Sequence, residues 1–425
     1  MTSLWTTLIL VGALIGAPLF AVILGGAAVG FWANDIDLMV LPIELFRLTE
    51  NTLLMALPLF AFAGYLLSES KAADRLVALS EAAFGWLPGG MILISLLACA
   101  FFTMLTGGSG VTIIALGALL LPALKQAGYT ERFSLGLITT SGSLGLLLPP
   151  AIPLILYGIV AQQMNVANVE IQDLFLAGLI PALIMILALW GYGLWSQRHQ
   201  SIPLTPFKFK TLLTQLNIAK WEIAIPLIVL GGLLSGWLVV SDIAAITALY
   251  VLIIEVFVYR EVSLKALPAI AANAMKMVGG ILLILGVALA FTNFLVDMEV
   301  PSKVFVFIRE NIDSRWAFLL CLNVGLLMLG AILDIFAALI IIVPLILPVA
   351  IDYGIDPVHL GIIFVANMQI GYFTPPVGMN LFIASYRFKK SITELYAATI
   401  PIMFVLMAVV LLITYWPSMV LFLVD

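Results

Sequence analysis

Long stretches without a charged residue are the feature that most limits what this chain can fold into. No aspartate, glutamate, lysine or arginine occurs in residues 1–34, 82–124, 133–169 or 395–424. A helix needs roughly 20 apolar residues to cross a bilayer, so several of these segments are long enough for two passes. The sequence therefore predicts an all-α polytopic membrane protein.

Composition supports this class and excludes others. Of the 425 residues, 64% are hydrophobic and 10% are charged, whereas a soluble domain carries roughly 25% charged residues. The net charge is −5 and there is no basic run, so we expect no nucleic-acid partner. The surroundings that the composition implies are membrane lipid.

The basic residues predict which loops share a face of the membrane. Fourteen of the 18 lysines and arginines fall in alternate loops, which the positive-inside rule makes cytoplasmic. Residues 4–32 are consistent with one long span or two short ones. The 14 residues are Lys71, Arg75, Lys125, Arg132, Arg198, Lys208, Lys210, Lys220, Arg260, Lys265, Lys276, Arg387, Lys389 and Lys390.

Glycines and prolines that interrupt the predicted helices recur at a spacing of 226 residues. The shift places Gly145 on Gly371 and Pro149-Pro150 on Pro375-Pro376. A double proline inside an apolar span is rare, because each ring removes a backbone hydrogen bond. An odd number of predicted crossings separates the two copies, so the second is expected to be inverted in the membrane, as in many transporters. The alternative is a helical bundle with incidental prolines.

These recurring glycines and prolines divide the chain into two predicted inverted-topology repeats. The first is predicted to span residues 1–196 and the second residues 223–425, joined by a cytoplasmic connecting loop at 197–222. Each repeat should contain an interfacial arm helix, a re-entrant hairpin and a discontinuous helix broken at Pro-Pro. The arms are predicted at 35–50 and 261–276, the hairpins at 91–124 and 316–351, and the broken helices at 133–161 and 360–386.

The breaks predict a place for ions. A broken helix exposes carbonyl groups that attract cations and amide groups that attract anions. We expect free carbonyl groups at residues 145–148 and 371–374. Non-helical backbone at membrane depth persists only where it is buried in protein or lines a wet cavity. Hydroxyl groups stand nearby on Ser141, Ser143 and Thr374.

The hairpin tips add further oxygen ligands. The first tip holds Gly108 and Ser109, and the 226 shift places Asp334 on Gly108. Asp334 has 18 uncharged residues before it and 17 after it, so it is a candidate functional residue. The alternative for Asp334 is a hairpin cap exposed to water, and for Ser109 a small packing residue. We predict that tip, break and hydroxyl groups supply one Na⁺ site in each half.

Substrate contacts are predicted beside the same breaks. No lysine or arginine lies in the four interrupted elements before Arg387, so an anionic substrate would rely on half-helix amide groups and bound cations. For each amide side chain the alternative is interhelical hydrogen bonding. The candidate substrate residues are Ser141, Ser143, Asn367, Gln369 and Asn380.

Two segments carry a resemblance to a known family. Residues 107–158 begin GGSGVTIIALG and reach a double proline in GLLLPPAIP; residues 333–378 begin LDIFAALIII and reach one in GYFTPPVG. In these motifs and their spacing the chain resembles the large membrane subunit of tripartite ATP-independent periplasmic (TRAP) transporters, the DctM-like subunit. The resemblance covers nearly the whole chain. The tip is G-G-S-G, and Ala151 stands where many relatives have serine.

The resemblance implies sodium-coupled uptake of an organic acid across the bacterial inner membrane by an elevator-type movement. It also implies a small four-helix membrane subunit and a periplasmic substrate-binding protein as partners. By position, Ser109 and the break from Gly145 to Pro149 match one sodium site. Asp334, Gly371 and Thr374 match the other. C4-dicarboxylates, sialic acids and other carboxylates all remain open as substrates.

Two other functions are compatible with parts of the sequence. A stand-alone sodium–carboxylate symporter would share the inverted scaffold. The run from Gly107 to Gly110 also matches the G-x-S-G pattern of rhomboid-like intramembrane serine proteases. That chemistry needs a base within hydrogen-bond reach of Ser109. The only histidines, His199 and His359, are predicted near the membrane faces.

Overall fold

The protein is helical throughout the part of the chain that the computed structural model describes. Every regular element in that part is a helix or a helical turn. The described residues are 2–15, 17–47, 52–164, 169–200, 202, 206–235, 237–312 and 314–424.

In the first half, the first two helices cover most of residues 4–32, and whether they make one span or two stays open. The first hairpin turns at Gly107, whose φ of +67° is a conformation that glycine adopts without strain. The helices are α1 (Thr2–Ile15), α2 (Leu19–Ala33), α3 (Val40–Arg47), α4 (Ala56–Ser68), α5 (Ala72–Phe84), α6 (Gly90–Thr106), α7 (Ser109–Gln126), α8 (Glu131–Ser141), α9 (Ile152–Gln163) and α10 (Ile171–Ser196).

The second half follows the same order. A π-helical turn, Ile254–Val258, extends the third of its helices. The helices are α11 (Phe209–Ile218), α12 (Lys220–Ser235), α13 (Val240–Ile253), α14 (Leu267–Asp297), α15 (Val300–Asn311), α16 (Arg315–Ile332), α17 (Ile335–Asp352), α18 (Pro357–Gly371), α19 (Met379–Phe388), α20 (Ile392–Tyr415) and α21 (Pro417–Leu421).

Many of these helices are long and apolar enough to cross a membrane. Among the described residues seven qualify by length and composition, and up to ten do if each of three bent helix pairs is one span. The predicted all-α polytopic membrane class is therefore confirmed.

Helix boundaries repeat at the predicted spacing. α7 and α17 begin and end 226 residues apart, at Ser109 and Ile335 and at Gln126 and Asp352. Both double prolines lie in helix breaks, between α8 and α9 and between α18 and α19, and both Pro-Pro bonds are cis. The first broken pair bends by 42°. The inverted orientation of the second copy stays a prediction.

The predicted arms differ from the observed helices. The first arm, 35–50, contains a helix only at Val40–Arg47, after a turn in which Asp35 has a φ of 55°; residues 48–50 lie outside the described part. The second arm, 261–276, is not a separate helix, because α14 continues from Leu267 to Asp297. Nothing between Pro268, in the first turn where proline is tolerated, and Gly279 interrupts it.

The connecting segment 197–222 is not simply a loop. It contains α11, and α12 already begins at Lys220. Leu213 and Leu216 are spaced like one face of a helix, and α11 contacts α5. The predicted loop was therefore too long, because a short amphipathic helix between basic residues lacks the long apolar run of a span.

The helices form two contact groups. α2, α4, α13 and α14 contact one another, whereas the hairpins and broken helices contact each other across the two halves. α7 packs against α19, and α17 packs against α9. The groups also touch directly, through α4 with α6 and α14 with α17, and two short helices lie between them: α5 contacts α4 and α6, and α15 contacts α14 and α17. The hairpin of each half thus meets the broken helix of the other half.

Candidate cation and substrate site

The first hairpin tip is hydrogen-bonded to the broken helix of the second half. The Ser109 hydroxyl donates to Asn380 Oδ1 at 2.7 Å, and Asn380 Nδ2 donates to the Thr139 carbonyl at 3.3 Å. Ser109 is 2% exposed and Asn380 is fully buried. The structure therefore brings together one predicted sodium ligand and one predicted substrate residue.

The two breaks meet at matched positions. The Ser143 hydroxyl donates to the Gln369 carbonyl at 3.1 Å, and these residues are 226 apart, the repeat spacing. When a two-fold axis relates two copies, a residue can contact the equivalent residue of the other copy only close to that axis. Ser143 therefore lies close to any such axis between the repeats.

The break glycines pack against the first helix of their own hairpins. A Cβ on Gly145 would lie 2.1 Å from the Ala100 carbonyl oxygen and 2.5 Å from the Met104 nitrogen. A Cβ on Gly371 would lie 2.5 Å from the backbone of Gly330. Met104 and Gly330 are themselves 226 apart, so the same close approach occurs in both halves.

The break carbonyls are less free than expected. The Gly145 carbonyl accepts from the Leu148 amide at 3.1 Å, and the Gly371 carbonyl accepts from the Thr374 amide at 3.0 Å. The expectation of free carbonyl groups was wrong at these two positions, because the chain closes into tight turns after each helix. A carbonyl oxygen has a second lone pair, so coordination from these atoms is still possible.

A hydroxyl cluster that sequence analysis did not predict lies inside the first hairpin. The Thr103 and Thr112 Oγ1 atoms are 2.6 Å apart, and Thr103 donates to the Gly142 carbonyl at 2.8 Å. The Thr112 hydroxyl also donates to the Gly108 carbonyl at 3.4 Å. Both threonines are fully buried. Four oxygens from tip, hairpin and break therefore converge beside predicted ligands.

The second hairpin lacks this cluster but carries a carboxylate. The residues that match Thr103 and Thr112 are Leu329 and Ala338. Asp334 caps α17, with Oδ1 accepting from the Phe336 amide at 2.9 Å and the Ala337 amide at 3.0 Å. No described residue donates to Oδ2. Asp334 therefore does cap the helix, as the alternative proposed, but the capping bonds use only one of its two carboxylate oxygens.

The second tip is fastened to its break through Tyr372, which the sequence did not single out. The Ile335 amide donates to the Tyr372 hydroxyl at 2.8 Å, and the Gly378 amide donates to the Ala331 carbonyl at 2.9 Å. Thr374 is partly buried and its hydroxyl donates to the Ile370 carbonyl at 2.8 Å. Thr374 therefore presents only oxygen lone pairs to a ligand.

The remaining predicted substrate residues are buried among helices. Asn367 Nδ2 donates to Asn323 Oδ1 at 2.6 Å, and Gln369 Nε2 lies 2.6 Å from Met185 Sδ. Asn367 thus makes the interhelical bond that was its alternative. Among the residues that the structure describes, none donates to the Oδ1 of Asn367 or the Oε1 of Gln369. Ser141 donates back to the Ile138 carbonyl at 3.3 Å.

A family comparison decides what kind of protein carries this arrangement. Residues 4–419 match the family model described as the DctM component of the tripartite ATP-independent periplasmic transporter. The chain belongs to this family. It is a TRAP transporter large permease subunit, a multi-pass protein of the inner membrane. It is a transporter rather than an enzyme.

Individual relatives support the family assignment. The chain is 32% identical to the C4-dicarboxylate TRAP transporter large permease protein DctM of Rhodobacter capsulatus, over 91% of this chain and 90% of that protein. It is 34% identical to the isethionate TRAP transporter permease protein DctMQ of Oleidesulfovibrio alaskensis, over 87% of this chain but 58% of that longer protein. The crystal structure of the Alcanivorax borkumensis YdaH transporter, titled as having an unusual topology, shares the fold, with a TM-score of 0.57, 17% identity and 88% coverage of both chains.

The serine protease alternative is wrong for this TRAP permease. Ser109 donates to Asn380 rather than to a base. His359 Nε2 lies 2.9 Å from the Ile413 carbonyl, and His199 is paired with its neighbour Arg198. Neither histidine reaches the Ser109 hydroxyl.

We expect Ser109→Ala to destabilise the protein by about 1–3 kcal/mol, because it leaves the buried Asn380 Oδ1 without its donor. Ser134→Ala is the matched control, since Ser134 is also buried but donates only within its helix, to the Thr130 carbonyl. Thermal unfolding of both purified variants measures the difference. Equal melting temperatures would show that the bond between tip and broken helix adds no stability.

Proposed function

We propose that this permease subunit takes up an organic acid together with Na⁺, receiving the acid from a periplasmic binding protein. The observation that carries the proposal is the pair of unlike oxygen sites at matched hairpin tips. One site consists of neutral hydroxyl and carbonyl oxygens around Thr103 and Thr112. The other is built on Asp334.

The donor chemistry supports Na⁺ over a transition metal. Among the described residues no group of three or more histidine, cysteine, aspartate or glutamate side chains is placed to hold a metal ion. Hydroxyl, carbonyl and carboxylate oxygens suit hard cations. In the first site Ser109, Gly108 and the break from Gly145 to Pro149 would join the threonines.

In the second site Asp334 Oδ2 would meet the cation, with Thr374 and the Gly371 carbonyl as neighbours. Asp334 Oδ1 already caps α17, so the carboxylate is held in a fixed position before an ion arrives. Preorganised ligands lose little freedom on binding. This fixed carboxylate makes the second site the stronger candidate for coupling.

The substrate is proposed to be a carboxylate. Two relatives are named for carboxylates, C4-dicarboxylate and, in Escherichia coli, 2,3-diketo-L-gulonate, whereas the isethionate relative is named for a sulfonate. Arg387 donates to the Ile114 carbonyl at 3.0 Å, which ties α19 to the first hairpin. Half-helix amides and bound Na⁺ would then balance the substrate charge. C4-dicarboxylates and sialic acid are the first compounds to test.

Movement is proposed to be of the elevator type. The hairpins and broken helices interlock across the halves, through α7 with α19 and α9 with α17. They would move as one unit against α2, α4, α13 and α14. Such a movement would shift the direct contacts of α4 with α6 and of α14 with α17, and it would bend the chain at the short helices α5 and α15, which contact both groups.

The family also implies two partners: a small membrane subunit, proposed to have four helices, and a periplasmic binding protein. Uptake should therefore require the binding protein. Proteoliposomes holding both membrane subunits, with an inward Na⁺ gradient, are supplied with labelled succinate or N-acetylneuraminate, with and without the cognate binding protein. We expect uptake only with the binding protein. Equal uptake without it would establish a stand-alone symporter instead.

A further inference from the structure

A buried cluster of charges joins α5 to α12 and to the π-helical turn after α13. Arg75 on α5 is 9% exposed, and Glu222 and Glu255 are 1% and 0% exposed. Arg75 Nη1 lies 2.6 Å from Glu261 Oε1, its Nη2 lies 3.5 Å from Glu255 Oε1, and its Nε contacts Glu222 Oε1. One cation therefore faces three carboxyl groups.

Two of these carboxyl groups have a polar partner at each oxygen. The Tyr259 hydroxyl lies 3.0 Å from Glu222 Oε2 and 2.6 Å from the Ile218 carbonyl, so these two oxygens share its one hydrogen. Glu261 Oε2 accepts from the Lys71 amide at 2.8 Å. The Tyr259 ring also stacks on the Arg75 guanidinium, whose carbon is 3.8 Å from the ring centroid. Each oxygen of these two carboxyl groups therefore has a polar partner.

Glu255 differs from the other two. Its contact with Arg75 is the longest of the three, at 3.5 Å, and within the described part of the chain its Oε2 has no hydrogen-bond partner although the side chain is fully buried. If all three carboxyl groups were ionised, the cluster would hold a net charge of about −2 away from water. An uncompensated buried charge costs several kcal/mol, so such groups are neutralised instead.

We propose that Glu255 is a proton-binding site, and that its carboxyl group is protonated in the folded protein. The proton would lie on Glu255 Oε2, the carboxyl oxygen that has no hydrogen-bond partner among the described residues. The cluster then carries three charges, on Arg75, Glu222 and Glu261, with a net charge of about −1.

Among the described residues, Arg75 is the one cation that forms an ion pair with Glu255. Tyr65 on α4 and Tyr250 on α13 pack against the hydrophobic cluster of these helices, and a phenol carries no positive charge. The lysines at the ends of the adjoining helices, Lys71 and Lys220, have exposed side chains. A proton is therefore the ligand that the cluster lacks.

The site lies at the start of α5, the helix that follows α4 in the chain. The helix pair formed by Leu53–Ser68 and Ala72–Phe84 bends by 74°, and Arg75 is in the first turn after this bend. Ionisation of Glu255 would place a repelling charge beside Glu222 and Glu261 and weaken the attachment of α5. The inference does not depend on sodium coupling, because it concerns stability rather than transport.

The test compares Glu255→Gln with the wild type by thermal unfolding of the purified membrane complex between about pH 6 and pH 9. A group that is protonated when folded gives stability at low pH, and this stability is lost as the pH rises through its folded-state titration. We expect the wild-type melting temperature to fall by roughly 3 °C or more, and Glu255→Gln to stay level. Glu81→Gln, the same change at an exposed position of α5, should follow the wild type.

Infrared spectroscopy gives a second readout. The stretch of a protonated carboxyl group should be present in the wild type and in Glu81→Gln, and reduced in Glu255→Gln. Unchanged infrared spectra, or parallel pH profiles, would overturn the proposal. So would a wild-type protein that NaCl, but not acid, protects. Glu255→Met is a second neutral variant, and failure of both neutral variants to fold at neutral pH would also overturn it.

Discussion

Replacing Asp334 with asparagine should abolish sodium-dependent uptake while the protein still folds. Asparagine caps a helix about as well as aspartate, so the bonds to the Phe336 and Ala337 amides persist. The charge that would meet Na⁺ is lost. Removing one partner of a partly buried charge pair costs about 2–5 kcal/mol, which weakens Na⁺ binding by roughly 30-fold or more.

Asp334→Ala separates the two roles of this residue. It removes both the charge and the cap, so we expect the same loss of sodium dependence plus about 1 kcal/mol of stability. Asp352→Asn is the matched control, because Asp352 is exposed at the other end of α17. The measurement is the rise in melting temperature on replacing KCl with NaCl, together with uptake. Wild-type sodium dependence in Asp334→Asn would remove Asp334 from the coupling site.

Gly371→Ala should cause a comparable loss by a different route. The new Cβ would lie 2.5 Å from the Gly330 backbone, and backbone atoms in a buried contact cannot move aside as a side chain can. Overpacking of this kind costs about 1–3 kcal/mol and sometimes more. It would also push the broken helix away from the hairpin, so we expect uptake to fall at least as steeply as stability.

Gly325→Ala is the control for this prediction. Gly325 is on α16, like Gly330, but a Cβ there would meet nothing within 4 Å. Its melting temperature should change little, because surface substitutions are usually within about 0.5 kcal/mol. Gly145→Ala should behave like Gly371→Ala, since the matched position is equally crowded. If Gly371→Ala retained full uptake, close packing of break against hairpin would not be required for transport.

The prolines and glycines of this chain made part of its structure predictable. The double prolines and the glycine-rich tip have few conformations open to them, so the breaks and the start of α7 follow from the sequence. Asp334 stands alone in an apolar segment, and its place at the start of α17 follows from the match with Gly108. Such residues restrict the backbone locally, whatever packs around them.

Other features depend on packing that sequence spacing does not reveal. Thr103 and Thr112 belong to a buried cluster, but Thr139 and Thr140 are equally buried and only bond back along their own helix. A threonine in an apolar helix fits both patterns. The one available signal was that Thr103 and Thr112 flank the first tip on both sides. Arg75 was assigned to a cytoplasmic loop by charge alone, and its three carboxyl partners come from distant parts of the chain.

The loop assignment itself is supported by contacts between distant segments. Lys125 and Lys390 both pair with Glu131, at 3.1 and 3.2 Å. Arg75 likewise meets Glu222 and Glu261. Loops predicted to share the cytoplasmic face therefore do meet, although their separation in the sequence is large.

The most direct test of sodium coupling is accumulation driven by a sodium gradient alone. Proteoliposomes with both membrane subunits and the binding protein receive labelled succinate or N-acetylneuraminate under a tenfold inward Na⁺ gradient. That gradient stores about 1.4 kcal/mol per ion, enough for up to about tenfold accumulation per coupled ion. We expect accumulation that disappears when Na⁺ is equal on both sides or is replaced by K⁺. Equal accumulation of these compounds without a sodium gradient would contradict sodium-coupled transport.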